Sequence, residues 1–210
     1  SYRRKGNSQK IQSLEGKDIK ITSGSNIIIT AEKVYDDVND PFYEGYISDG
    51  TIIIGDGSGE TSFITIEGLT FNNVNKDAIN FVESSTNITV INNNISIYPD
   101  ASENDDEYFT VNGIKFSGYV EDVEVSGNYI CIEGDAVYQN GLSFSIYVGW
   151  TEGSANPANV HVADNEIEIT GNTATGSSQG IYLDTVIGAL VENNNVTVNA
   201  NNDCFAYGIQ

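Results

Sequence analysis

Apolar and polar residues alternate along most of this chain in runs of three to five, at period two and never at 3.6. Alternation at that period marks short strands with one buried face. The runs come in threes. The first of each set carries Ile79 and Phe81, then Ile114 and Phe116, Leu142 and Phe144, Ile181 and Leu183. A small residue precedes it each time: Ala78, Gly113, Gly141, Gly180. The second carries Ile88 and Val90, Val123 and Val125, Val160 and Val162, Ala189 and Val191. The third carries Ile95 and Ile97, Ile130 and Ile132, Ile167 and Ile169, Val196 and Val198. An earlier set is visible in Ile52 and Ile54, Ile64 and Ile66, Leu69 and Phe71, and a weaker one includes Ile27 and Ile29. Tyr207-Gly208-Ile209 opens a further one. No amphipathic helix of useful length is present.

The sets repeat as a unit. Val-x-x-Asn-x-[Ile/Val]-x-[Ile/Val] occurs four times, with Asn93, Asn128, Asn165 and Asn194 spaced 35, 37 and 29 residues apart. A period of that size means one supersecondary unit stacked on itself. The pattern predicts an all-β chain: a single-stranded parallel β-helix (solenoid) with three short strands per coil and about six to seven coils. An antiparallel sandwich would place strands every 8–12 residues without long-range self-similarity, so the self-similarity argues against it. Each repeated Asn stands two residues ahead of the third strand, at a sharp turn. Asn tolerates left-handed backbone, and stacked copies bond amide to amide. Turn chemistry uses Asn in this way, so these four are read as structural rather than catalytic.

At 210 residues the chain fits one domain. Residues 1–20 form a basic segment or cap, with Arg3, Arg4, Lys5, Lys10, Lys17 and Lys20, and 21–210 form the β-helix. Ser1 is not an initiator Met, and the chain is read as part of a longer array. The body beyond residue 20 holds 28 acidic side chains against Lys33, Lys76 and Lys115, and formal net charge is −21. Such a surface repels phosphate backbones and anionic lipids, so neither nucleic acid nor a membrane surface is expected as a partner. It also repels polyuronate unless cations bridge. No hydrophobic run is long enough to cross a membrane. Solubility of an extracellular protein is the plain reading of this charge.

Cys131 points outward in a third strand by register. Cys204 lies more than two rungs along, roughly 10 Å or more, beyond disulfide reach, and both are expected as free thiols. Asn87-Ile-Thr, Asn94-Ile-Ser and Asn195-Val-Thr match the N-glycosylation sequon, a pattern that an Asn- and Thr-rich chain also produces by chance.

Outward positions form three columns: Asn80, Lys115, Ser143, Tyr182; Thr89, Glu124, His161, Leu190; and Ser96, Cys131, Glu168, Thr197. None concentrates carboxylates or pairs a nucleophile with a base. His161 is the only histidine, with Glu124 and Leu190 as register neighbours. A Glu–His pair suits proton transfer, whereas a lone surface His is more often inert. Asp105, Asp106 and Glu107 lie in an acidic corner, and Asp36, Asp37 and Asp40 in a weaker one. Paired carboxylates in a loop are donors for Ca²⁺, but their spacing matches no calcium loop, and a solvated loop is the default. The longest insertion, 145–159, carries Tyr147 and Trp150. An exposed Trp beside a Tyr suits stacking on a sugar ring, with Tyr182 on the next unit. The alternative is that Trp150 caps the loop's own small core.

The stretches Gly68-Leu-Thr-Phe-Asn-Asn-Val, Asp77-Ala-Ile-Asn-Phe and Asn87-Ile-Thr-Val-Ile-Asn-Asn-Asn-Ile resemble right-handed parallel β-helix repeats of the pectin-lyase-like superfamily, whose stacked Asn corner they share. The later units, near Gly180-Ile-Tyr-Leu and Val191-Glu-Asn-Asn-Asn-Val-Thr-Val, are most similar to adhesin-like surface proteins of methanogenic archaea, with similar arrays in bacterial surface proteins. The resemblance covers 21–210 and is specific for fold, not activity. Enzymes of the superfamily would imply a calcium-bound aspartate cluster with an Arg or Lys base, or an Asp pair with Gly-His-Gly and Arg-x-Lys. None of these is present. His161 is flanked by valines, and no Lys or Arg follows Lys115.

The resulting expectation is a non-catalytic module at the cell surface or outside the cell, without an obligatory cofactor. It would act as a rigid stalk, as a binder of glycans or of another cell, and through its open coil ends as an end-to-end assembler. The competing expectation is a calcium-dependent polysaccharide lyase or glycoside hydrolase using Lys115.

Overall fold

Alternating apolar positions bury one face of each strand, and three such faces per repeat close around a shared core. The computed structural model describes residues 7–11, 13–16, 18–22, 24–37, 40–55, 60–82, 84–100, 109–134, 136, 138–144, 158–171, 176–184, 186–200 and 205–210. The chain winds as a right-handed parallel β-helix of three faces, each stacking seven parallel strands. A middle coil consists of Ile79–Phe81 on the first face, Ser85–Ile91 on the second and Asn94–Ile97 on the third. The next coil places Thr110–Phe116, Val120–Ser126 and Tyr129–Gly134 directly over them. Pairing begins at Asn7–Ile11, within the basic segment. No helix occurs among the described residues.

Inward columns match the sequence pattern. Ile79, Phe81, Ile88, Val90, Ile95 and Ile97 are all essentially inaccessible. Phe81 and Phe116 stack with ring centroids 4.7 Å apart. The outward columns fall into the expected register: Asn80, Lys115, Ser143 and Tyr182 pair in sequence. So do Thr89, Glu124, His161 and Leu190.

The four repeated asparagines stand in single file. The Asn93 side chain donates to Asn128 Oδ1 at 3.0 Å and to the Ile66 carbonyl at 3.1 Å. Asn165 Nδ2 donates to Asn194 Oδ1 at 2.9 Å. Their backbone role differs from the expectation. The left-handed residue is the one before each Asn: Asn92, Gly127, Asp164 and Asn193, with φ of 54° to 64°. The ladder Asn turns inward and bonds, while its predecessor makes the bend. Leu69 also shifts role. It heads this ladder, its N–H donating to Asn93 Oδ1 at 3.0 Å, and the inward pair of that third strand is Phe71 and Val74 across a register irregularity.

A second polar file leads into the first face. Asp77 Oδ1 accepts from the Asn112 backbone at 2.9 Å and side chain at 2.7 Å, and Asn140 Nδ2 donates to Asn112 Oδ1 at 2.9 Å. Beside it run Gly113, Gly141 and Gly180. A Cβ on Gly141 would lie 2.4 Å from Ile167 Cγ2 and 2.7 Å from the Gly180 carbonyl oxygen. The small residue therefore lets the first face close against the third.

Two features depart from a plain coil. Gly24–Asp37 runs past the second face and folds back antiparallel on Asp40–Glu44. Asp36, Asp37 and Asp40 lie in this hairpin, their side chains outside the described set. At the last coil, Ile187, Leu190, Phe205 and Ile209 are each more than half exposed; the register equivalent of Ile209, Ile181, is inaccessible, whereas Leu190 continues the outward column of Glu124 and His161.

Candidate functional site

The second face is not flat. Six successive coils carry one left-handed residue at the same position of this face, bending the chain so that its outer surface is concave. In register order these are Asn26, Phe63, Asn87, Asp122, Asn159 and Gly188, with φ between 54° and 70°. Asn, Asp and Gly adopt this conformation at little cost; a bulky residue does not. Phe63, at φ 54°, is the exception. Two residues further along each strand stand the outward residues Ile28, Thr65, Thr89, Glu124 and His161. Together the two columns line an open groove of about 590 Å³.

The groove changes character along the axis. At one end Phe63 is 54% and Ile28 39% exposed. Asn87, Thr65 and Thr89 follow. Towards the other end lie Asp122 and Glu124, and among the described residues no Lys or Arg lines it. Asp122 Oδ1 accepts from Asn159 Nδ2 at 3.1 Å, and Glu124 Oε1 accepts from Ser126 Oγ at 3.1 Å. His161 stands between Glu124 and Leu190 in register, as the spacing predicts. Its Nε2 lies 3.1 Å from Glu192 Oε1, on the following coil, and both groups are solvent-exposed.

Of the residues singled out from the sequence, Tyr147 and Trp150 lie outside the described residues, as do Asp105, Asp106, Glu107 and Cys204. Tyr182 is half-buried on the first face; burial, with Asp184 beside it, raises its hydroxyl pKa. It lies on a different face from the groove. Lys115, the one basic residue of its column, has Nζ 3.5 Å from Asp77 Oδ2. Asp18 pairs with Lys76 at 2.9 Å, a bond that lowers its carboxyl pKa.

On the third face, Cys131 is free and half-buried. Burial raises its thiol pKa foremost. The Tyr129 hydroxyl beside it lowers it, and the nearby Glu168 and Glu133 raise it. The Tyr129 hydroxyl donates to Glu168 Oε2 at 3.0 Å, and burial together with that bond pushes its pKa well above the ordinary range. Among the described residues no three His, Cys, Asp or Glu side chains gather as a metal site.

The left-handed column was the signal that went unread. Asn26-Ile-Ile, Phe63-Ile-Thr, Asn87-Ile-Thr, Asp122-Val-Glu and Asn159-Val-His share a turn-prone residue two positions before the outward one, with Phe63 the break in the pattern.

The architecture thus defines a parallel β-helix solenoid carrying a groove along one face. Compared with family models, with curated proteins and with solved structures, the chain finds no match.

Proposed function

We propose that this chain is a non-catalytic, adhesin-like β-helix module of the pectin-lyase-like kind, working at the cell surface or outside the cell as a rigid stalk that also binds glycans. The groove of the second face carries the reading. It offers an exposed aromatic ring, amides and hydroxyls in a row, the combination that meets both the C–H face and the hydroxyls of a sugar. The two polar files and the packed core support the stalk.

The competing reading is a polysaccharide lyase or hydrolase using Lys115. A lyase base must meet its substrate as a free amine, and the Lys115 ammonium is paired with Asp77, which favours the binding role.

A glycan array probed with the wild type, Phe63→Ala and Trp150→Ala tests the proposal. Hits lost in Phe63→Ala support binding in the groove, and hits lost only in Trp150→Ala move the site to the 145–159 insertion. An array without hits leaves the stalk alone. Release of unsaturated or reducing ends from a polysaccharide panel, abolished in Lys115→Ala, would replace the proposal with the enzyme.

A further inference from the structure

Resting on the glycan-binding reading above, we infer that the groove of the second face takes a linear glycan bearing free amino groups. The chain lies along the coil axis with one ring on Phe63 and an ammonium between Asp122 and Glu124.

Direction comes first. Successive lining residues are stacked parallel strands, so they repeat every ~4.8 Å, and the rungs from Asn26 to Asn159 span about 19 Å. An extended pyranose chain advances by a similar step per sugar. A glycan parallel to the axis therefore meets an equivalent pair of side chains at each residue, whereas one lying across the groove meets a single rung.

Phe63 sets the apolar end. Its five register equivalents are Asn, Asp or Gly, the residues suited to left-handed backbone. A phenylalanine there holds a strained conformation and leaves its ring more than half in solvent. Folding gains little from either, and residues kept in such conformations cluster at binding sites. With Ile28 one rung below, the ring forms a flat apolar platform.

Charge sets the ligand class. Asp122 and Glu124 share one rung, among the described residues no Lys or Arg lines the groove, and the His161 ring is engaged by Glu192. A uronate chain would bring carboxylates against these carboxylates. A neutral chain would leave two charges facing uncharged hydroxyls. An amino sugar supplies the opposite charge two rungs from Phe63, and attraction exceeds that of the bulk acidic surface because two carboxylates stand on one rung.

Isothermal titration of the intact chain with a glucosamine hexamer, its N-acetylated counterpart and an oligogalacturonate tests this. The glucosamine hexamer should bind at least about tenfold tighter than the N-acetylated one, and the galacturonate should not bind. Asp122→Asn with Glu124→Gln should weaken the glucosamine hexamer about tenfold or more and leave the N-acetylated hexamer unchanged. Asn occupies equivalent positions in this column, so the variant keeps the backbone. Phe63→Asn should weaken both hexamers.

Glu133→Gln with Glu168→Gln, on the third face, controls for bulk charge. An equal loss there overturns the inference. Equal affinity for the two hexamers, or no effect of the Asp122/Glu124 variant, also overturns it. In that case the glycan-binding reading survives if Phe63→Asn still weakens binding. Absence of binding to any saccharide removes the glycan-binding reading as well, and indifference to Phe63→Asn removes the groove as its site.

Discussion

Asn128 and Asn165 are joined twice through one oxygen: the Asn128 backbone N–H and side-chain amide both donate to Asn165 Oδ1, at 3.0 Å and 2.9 Å. Asn128 Nδ2 also reaches the Val90 carbonyl at 2.9 Å. One buried side chain thus satisfies a turn donor, a strand acceptor and its own copy in the next coil. Buried polar groups deprived of partners are costly. Asn128→Ala should lower stability by about 2–4 kcal/mol, read as a fall in the urea midpoint. Asn194→Ala, at the more open end where water replaces lost partners, should cost clearly less. Equal losses at both sites would contradict a ladder whose strength comes from burial.

The glycine column makes a sharper contrast. Gly141 has no room for a methyl group, with Ile167 and the Gly180 carbonyl in the way, whereas Gly208 has nothing within 4 Å of its Cβ direction. Gly141→Ala should destabilise by about 1–3 kcal/mol through overpacking, and Gly208→Ala should be nearly neutral. Thermal melts of the two variants decide it. A neutral Gly141→Ala would mean that the first and third faces are not pressed together.

Phe63→Asn should stabilise the fold. Relieving a left-handed bulky residue is worth about 1–2 kcal/mol, and the exposed ring has little burial to lose. A higher melting temperature accompanied by lost saccharide binding would show the strained residue serving the groove. A lower melting temperature would show that the ring stabilises the coil instead.

Cys131 should be a slow thiol. Burial and the adjacent Glu168 and Glu133 hold its pKa up despite the Tyr129 hydroxyl, so little thiolate forms near neutral pH. In a Cys204→Ser background, alkylation at pH 7.5 should run well below the rate of a free cysteine and should accelerate on unfolding. Reaction at the free-thiol rate would place the side chain in open solvent.

Tyr129 predicts the alkaline edge. Its folded pKa is raised above the ordinary 10.0 by burial and by Glu168, so the native state holds a proton that the unfolded chain releases. Its contribution is complete below pH 10 and declines as pH rises past that value. Tyr129→Phe should flatten the decline of stability between about pH 10 and pH 12. An unchanged alkaline profile would assign that edge to other groups.

Inward and outward columns were legible because a period of two, repeated coil after coil, leaves one consistent register. The Asn93-to-Asn194 file followed from spacing alone. The file through Asp77, Asn112 and Asn140 did not, because its members differ in type; only the small residue after each repeats visibly. The left-handed column was hidden for a related reason. Asn87 and Asp122 sit between two pairing segments of one strand and carry no hydropathy signal. Leu69 read as a strand residue because it is apolar, although its place in the coil is that of the ladder asparagines. The hairpin of Gly24–Glu44 broke the repeat where the repeat was weakest.

Strands in this molecule lie across the axis, while the bonds between coils lie along it. Tension on the two chain ends would therefore load the outermost turn before any other, peeling the coils away one after another at modest force. A push or shear on the side of the cylinder meets all three faces at once. The same winding makes a stiff spacer that yields gradually from its tips.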